Sequence, residues 1–409
     1  MKEEKLYRRY TVRLFPTPEQ EELMWKHVHA ARFIWNYMLA LQESRLKNGR
    51  KRLSGFKMIG ELSLMTKQCE FEWLKDVCKH SLGEVCRDLD KSFSAYFDWK
   101  CEFPKFKTKK SARYKNNFPI RGEKSTSYFK EQNVFVMPKI GHIKCSNNYN
   151  VPVGFERNGE NLIKNPRVQY IKSSQKWILT FVMTFEKQEK KLTDKSMGID
   201  LGIKELAVVA VGDKKLVFHN INKSKRMKAL EKKKKHIRRA ISRKYEANES
   251  WEKSKSIEKY EQILREIDSK MANIRHNYIH QITRELVSIF PERVVMEDLN
   301  VRGMLKNKHL SKSISEQNFY FFIQTMKYKC EEYGIEFVQT DRFYPSSKTC
   351  SNCGHKKKDL KLKDRTYICP VCGLEIDRDY NAAINLMNYT ENTTSALVST
   401  QKCGNALVA

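Results

Sequence analysis

The stretch CSNCGHKKKDLKLKDRTYICPVCGLEIDRDYNAAIN, residues 350–385, holds two C-x2-C knuckles, Cys350/Cys353 and Cys369/Cys372, fifteen residues apart. Seven residues after the last cysteine, Asp379 opens a D-Y-N-A-A-I-N run. Zinc favours tetrahedral thiolate sites, and two knuckles at this spacing let two tight turns face one ion. Gly354 and Gly373 follow the second cysteine of each knuckle, where the chain must bend sharply. Four thiolates close the coordination sphere, so the expected single Zn2+ is structural and not catalytic.

The rest of the chain is strongly basic, with a formal net charge of +30 on 409 residues, from 78 Lys+Arg against 48 Asp+Glu. A polyanion is the expected partner, and nucleic acid fits best. A membrane is not expected, because no apolar run approaches the roughly 20 residues needed to span a bilayer. The charged start, residues 1–5, lacks the apolar stretch of a secretory signal. Eleven cysteines, an odd number with four clustered, fit reduced thiols plus one metal site and hence a cytoplasmic setting.

Alternation of Leu6, Tyr10, Val12 and Leu14 with polar neighbours predicts a strand. Thr17-Pro18-Glu19-Gln20 predicts a capped helix running to Gly49, with Leu23, Val28, Ala31, Ile34, Tyr37 and Leu41 on its buried face. A second helix is expected over 81–99, on the spacing of Leu82, Val85, Leu89, Phe93 and Tyr96. After Cys101 the period changes to two, predicting strands over 134–145, 167–172 and 176–185 in an antiparallel barrel or sandwich. From Met197, MGIDLGIKELAVVAV reads as two adjacent strands. Charged helices follow over 221–289, then a strand at Arg293, a helix over 311–333 ending at Gly334, and a strand at Ile335.

Three carboxylates occupy unusual places: Asp200 inside an apolar strand, Glu297 at the end of another, and Asp379 at a helix start. Burying a lone carboxylate is costly, so each needs a partner or a metal. Mg2+ suits such ligands, and two ions roughly 3.5–4 Å apart stabilise both the attacking and the leaving oxygen of a phosphodiester. The bland alternative is that each caps a helix or pairs with a Lys or Arg. Asp377 is expected to pair with Arg378 or finish the ribbon, and Asp298 to face away from Glu297.

The order GIDLGIK, VVMEDLN, SSKTCSNCG, CPVCG and DRDYNAAINL resembles TnpB, the transposon-encoded RNA-guided DNA endonucleases of insertion sequences, which are similar to type V CRISPR effectors. The segments LFPTPEQ and FPKFKTKK extend the resemblance over nearly the whole chain. It implies an α/β multidomain protein. Residues 193–340 and 378–390 would form a RuvC-like nuclease on the RNase H fold, with a basic helical insertion at 221–289 and a zinc ribbon at 341–377. Residues 1–16 and 101–192 would form a wedge-like β-barrel, with a helical recognition insertion at 17–100 and a disordered tail at 391–409. Asp200, Glu297 and Asp379 match the family's catalytic carboxylates. The implied partners are a guide RNA from the transposon end and target double-stranded DNA, held by a monomeric protein in the prokaryotic cytoplasm, nucleoid-associated when on DNA.

Between Ile221 and Lys244 there are twelve Lys or Arg and one acidic residue, Glu231. That density suits phosphate contact, with Lys232, Lys235, Arg238 and Arg239 as candidates. Lys105, Lys107, Lys109, Lys110 and Arg113, interleaved with Phe103, Phe106 and Tyr114, form a second candidate surface. By the resemblance, a reader of a short DNA motif lies there and on the helix around Lys79 to Arg87. Two other functions use similar parts: a catalytically silent RNA-guided repressor, opposed by the intact carboxylates, and a DDE-like transposase, which a strand-transfer assay would separate.

Overall fold

The computed structural model describes residues 5–108, 116–121, 127–146, 151, 153–154, 156–157, 160–187, 190–247, 254–357, 359–360 and 364–390. The expected tail at 391–409 lies outside them. The chain is mixed α/β and divides into two compact units, Met1–Phe185 and Glu186–Ala409.

In the first unit the helix Pro18–Lys47 starts at a full capping box: Thr17 Oγ1 accepts from Gln20 N–H, and Gln20 Oε1 accepts from Thr17 N–H. Of its expected face, Val28, Ala31 and Ile34 are buried and Leu23 and Leu41 pack against the same core. Met24, Trp35 and Met38 are buried too, while Tyr37 stands at the rim against Phe71. The helices Gly55–Met65 and Lys79–Phe97 pack in the same core.

One seven-stranded sheet follows the order Asn116–Pro119, Lys164–Ile171, Lys176–Glu186, Lys5–Phe15, Gly141–Cys145, Val134–Met137, Phe129–Glu131. In a flat sheet, strands four steps apart lie about 19 Å from each other. The rings of Phe129 and Phe181, on strands four steps apart, have centroids only 5.3 Å apart. The sheet therefore curls tightly around its aromatic core. The expected strand over 134–145 is instead a hairpin, because Pro138 cannot donate to a ladder and Lys139 and Gly141 take positive φ.

In the second unit a five-stranded sheet runs in the order Lys214–His219, Glu205–Val211, Ser196–Leu201, Arg293–Met296, Glu336–Gln339. The first three strands are antiparallel, and Ser196–Leu201, Arg293–Met296 and Glu336–Gln339 are mutually parallel. Alternation sends Met197, Ile199, Val294 and Met296 to one face, under the helices Lys255–Val287 and Phe319–Tyr333. Gly198, Val208, Ala210 and Val295 face the other side, under the helix Arg378–Met387.

Two helical expectations are corrected. Residues 311–333 form two helices, Ser311–Gln317 and Phe319–Tyr333, because Asn318 takes a left-handed φ of 54°, which asparagine tolerates. Within 221–289, Ile279, Ile282 and Leu286 pack on the sheet, so the C-terminal turns of Lys255–Val287 belong to the body of the unit. Only the remainder pairs with Lys225–Glu246, through Met227, Ile237, Ile267 and Met271.

Candidate active site

Asp200 and Glu297 are brought together by strand register. Gly198 pairs with Val295 and Ile199 with Met296, so Asp200 and Glu297 stand one residue beyond the last rung of parallel neighbours. Both follow a residue that faces the long helices, and both therefore face the helix Arg378–Met387. Asp379 lies in the first turn of that helix, which presses directly on the strand at Gly198.

The electrostatics record this convergence. The Asp200 carboxyl is pushed well above the usual carboxylate range, first by desolvation and then by the charges of Glu297 and Asp379, with Arg378 opposing. Glu297 is also raised by desolvation, opposed by a hydrogen bond from Ser346 Oγ and by Arg378. Like charges crowded in a desolvated site favour protons or a cation. The donor set is all oxygen, which suits a hard divalent ion.

Asp377 and Asp298 behave differently. Asp377 ends the ribbon strand Glu375–Asp377, as one of its two expected roles had it, caps the helix by accepting from Tyr380 N–H at 3.0 Å, and pairs with Lys215 at 3.5 Å. Asp298 accepts from Arg342 Nε and Nη2 at 3.0 and 2.8 Å.

The four cysteine sulfurs lie within 4.8 Å of one another, with Cys350–Cys372 at 3.6 Å and Cys353–Cys369 at 3.5 Å. A tetrahedral ion with bonds of about 2.3 Å separates its sulfurs by about 3.8 Å. The two knuckles repeat one backbone pattern: Cys350 N–H donates to His355 and Gly354 N–H to Cys350, while Cys369 N–H donates to Leu374 and Gly373 N–H to Cys369. Gly354 and Gly373 have φ of 73° and 70° with open space around a would-be Cβ, so backbone conformation is what calls for glycine.

The ribbon is tied to the carboxylates by residues that periodicity does not reveal. Asn381 and Asn385, one turn apart and buried, donate to the Thr349 carbonyl at 2.7 Å each; Asn385 also donates to the Ser346 carbonyl, and Asn381 accepts from Ser351 N–H. Ser346 in turn holds Glu297. Gln317 donates to the Gly202 and Ile203 carbonyls at 3.2 and 3.0 Å, fixing the turn after Asp200. The only advance signs were the asparagine pair at i, i+4 and the serine pair preceding Cys350.

Cys350→Ser or Cys372→Ser is expected to drop bound zinc from one per chain to near zero by metal analysis and to lower the melting temperature, since binding energy at a structural site is folding energy. Full zinc retention in both variants would remove these sulfurs from the ligand set.

Among the candidate nucleic-acid contacts, Lys79, Lys105, Lys232, Lys235, Arg238 and Arg239 are exposed. The charge on Lys225–Glu246 does not surround the axis, because Met227 and Ile237 are buried and Lys234 pairs with Asp268. Lys105 pairs with Glu102. Lys107 is not a free cation: its Nζ sits 3.5 Å from the centroid of the Trp35 ring, its backbone is held by Asn36, and burial brings its pKa down to about 8. Lys109, Lys110, Arg113 and Tyr114 lie outside the described residues.

Three family models match the chain: a helix-turn-helix domain (HTH_OrfB_IS605) over 1–51, a probable transposase (OrfB_IS605) over 180–308, and a Cas12f1-like TNB domain over 319–386. In the structure the first of these is one strand and one long helix. InsQ of Escherichia coli (strain K12), named as a candidate RNA-guided DNA endonuclease, is 27% identical over 92% of this chain and 91% of its own length. A similarly named protein of Streptomyces pristinaespiralis is 25% identical over 93% and 88%. The CRISPR-associated endodeoxyribonuclease Cas12f1 of Sulfoacidibacillus thermotolerans is 29% identical over 56% and 54%. A solved complex of Cas12f1 with sgRNA and target DNA shares the fold at a TM-score of 0.51 and 16% identity, covering 94% of this chain and 99% of that one. Those models span the N-terminus, the sheet and the ribbon, and two relatives match nearly end to end, so the chain is similar over its length to proteins named as RNA-guided DNA endonucleases.

Proposed function

We propose that this protein is an RNA-guided DNA endonuclease that hydrolyses phosphodiester bonds of target DNA beside a short sequence motif. The observation that carries the reading is the convergence of Asp200, Glu297 and Asp379 on one sheet face, in a chain similar over its length to proteins named for that activity. The sheet order, three antiparallel strands followed by two parallel ones, supports a RuvC-like domain on the RNase H fold.

Asp200, Glu297 and Asp379 would hold two Mg2+ ions, and Cys350, Cys353, Cys369 and Cys372 one Zn2+. Magnesium held there supplies Lewis-acid stabilisation of the attacked phosphodiester. The protein's own residues do the positioning. Ser346 fixes the rotamer of Glu297, Asp377 caps the helix that presents Asp379, and Arg378 favours the charged forms of Asp200 and Glu297. The curled sheet of the first unit would serve as a wedge and its helices as a recognition lobe, holding guide RNA and reading the DNA motif. The exposed Lys232, Lys235, Arg238 and Arg239 would track phosphates.

In such a system base pairing carries sequence specificity, and the protein reads backbone and motif. Protein stripped of RNA should leave a target duplex uncut in Mg2+. Adding an RNA with the transposon-end scaffold and a matching guide should restore cutting, and changing the guide alone should redirect it. Sequence-specific cutting without RNA, or strand joining in the same assay, would instead indicate a conventional nuclease or transposase.

A further inference from the structure

A cleft of about 390 Å3 opens beside the carboxylates, between the residues that follow the strands Arg293–Met296 and Glu336–Gln339. Glu297, Asp298 and Leu299 line one wall; Asp341, Arg342 and Phe343 line the other. Carboxyl ends of parallel strands are where open α/β sheets place their ligands.

The second wall is a braced turn. Tyr344 N–H donates to the Asp341 carbonyl at 2.9 Å, which puts Arg342 and Phe343 at its tip. Arg342 is pinned by its two hydrogen bonds to Asp298. Tyr344 packs edge-on against Tyr389 at 4.9 Å, and its hydroxyl donates to the Asn385 carbonyl at 3.1 Å. Thr340 N–H is bound to the Met296 carbonyl. Between these anchored neighbours Phe343 is 92% exposed. A large ring held out by a braced turn, in the same cleft as Glu297, is suited to receive a flat apolar partner.

We infer that Phe343 is a stacking platform for a base of the DNA strand being cut, one that flanks the scissile phosphodiester. The inference rests on the endonuclease reading above. A phosphodiester at Glu297 carries bases on either side, and an aromatic face accepts any base because each has a π surface. Arg342 is already engaged by Asp298, so the turn offers stacking and not a free charge.

The test uses the ribonucleoprotein in the cleavage-dead Asp200→Ala background, with 2-aminopurine placed in turn at positions around the cut site of the target. One position should be quenched with Phe343 present, bright with Phe343→Ala, and quenched again with Phe343→Trp. In the cleavage-competent protein, Phe343→Ala should slow single-turnover cutting by about 5- to 150-fold, the range that loss of one base–aromatic stack gives. Phe343→Trp should restore the rate, and neither change should alter duplex affinity or melting temperature. Equal quenching and rates in wild type and Phe343→Ala, or a Trp variant no better than Ala, would overturn the inference while leaving the endonuclease reading intact. A wild-type ribonucleoprotein that neither binds nor cuts target would overturn both.

Discussion

Asp200→Ala, Glu297→Ala and Asp379→Ala should each abolish DNA cleavage, by at least about a thousandfold, while target binding by the ribonucleoprotein should stay nearly unchanged. Each change removes a carboxylate from the converging set but no phosphate-binding cation, and several kcal/mol of transition-state charge stabilisation goes with a lost metal ligand. Asp377→Ala removes a helix cap worth about 0.5–2 kcal/mol and leaves measurable cutting. The assay is single-turnover cleavage beside equilibrium binding; an inactive Asp377→Ala with an active Asp379→Ala would reverse the assignment. Stability gives an independent readout. Because the folded Asp200 carboxyl is raised, the unfolded chain releases its proton first as pH rises. In metal-free protein this group's contribution is therefore most favourable below the ordinary carboxylate range and is lost as pH climbs through the raised value. Metal-free Asp200→Asn should melt above wild type at neutral pH, by about 2–4 °C for each kcal/mol gained in a unit of this size, with the gap closing in acid. Added Mg2+ should raise the wild-type melting temperature more than that of Asp200→Asn. A metal-free Asp200→Asn that melts below wild type would mean that Asp200 is stabilised by a partner and not destabilised by its neighbours.

What the sequence reveals of this arrangement depends on how local the signal is. The Thr17–Gln20 capping box, the hairpin following Met197 and the two knuckles declare themselves within a few residues, because turn chemistry and alternation are local. The break at Asn318 and the turn at Pro138 were masked by apolar periodicity that continues on either side of them. Lys107 read as a cation for phosphate because sequence shows its charge but not the Trp35 ring beneath it. Least legible were the residues that aim the site. Ser346 reaches Glu297 across 49 positions and Gln317 reaches Gly202 across 115, and polar pairs at such separations leave no period to detect. The carboxylates were conspicuous for the opposite reason, as charges set in apolar strands where burial is costly.

Gly198→Ala should slow cleavage by on the order of 100-fold, although Gly198 is not one of the carboxylates. A Cβ at this position would lie 2.0 Å from the Ala383 carbonyl oxygen, 2.3 Å from the Met387 nitrogen and 3.0 Å from the Leu386 carbonyl carbon. All three belong to the backbone of the helix Arg378–Met387, so no side-chain rotation relieves the clash. The helix must move away from the strand, loosening Ala383 from Val208 and Ala210 and Leu386 from Val295. Overpacking of this kind costs typically 1–3 kcal/mol, and about 1 Å of misplacement at a reacting group can cost on the order of 100-fold in rate. Asp379 rides on the displaced helix and Asp200 lies two residues along the same strand, so the carboxylates separate even where the unit stays folded. Gly60→Ala is the control: it lies within the helix Gly55–Met65 with nothing near a new Cβ, and should be neutral or stabilising by about 0.5–1 kcal/mol. Thermal melting and single-turnover cleavage of the two variants decide the matter. A Gly198→Ala protein that melts and cuts as wild type does would mean that the helix does not seat on the strand at this point, and that something else holds Asp379 beside Asp200.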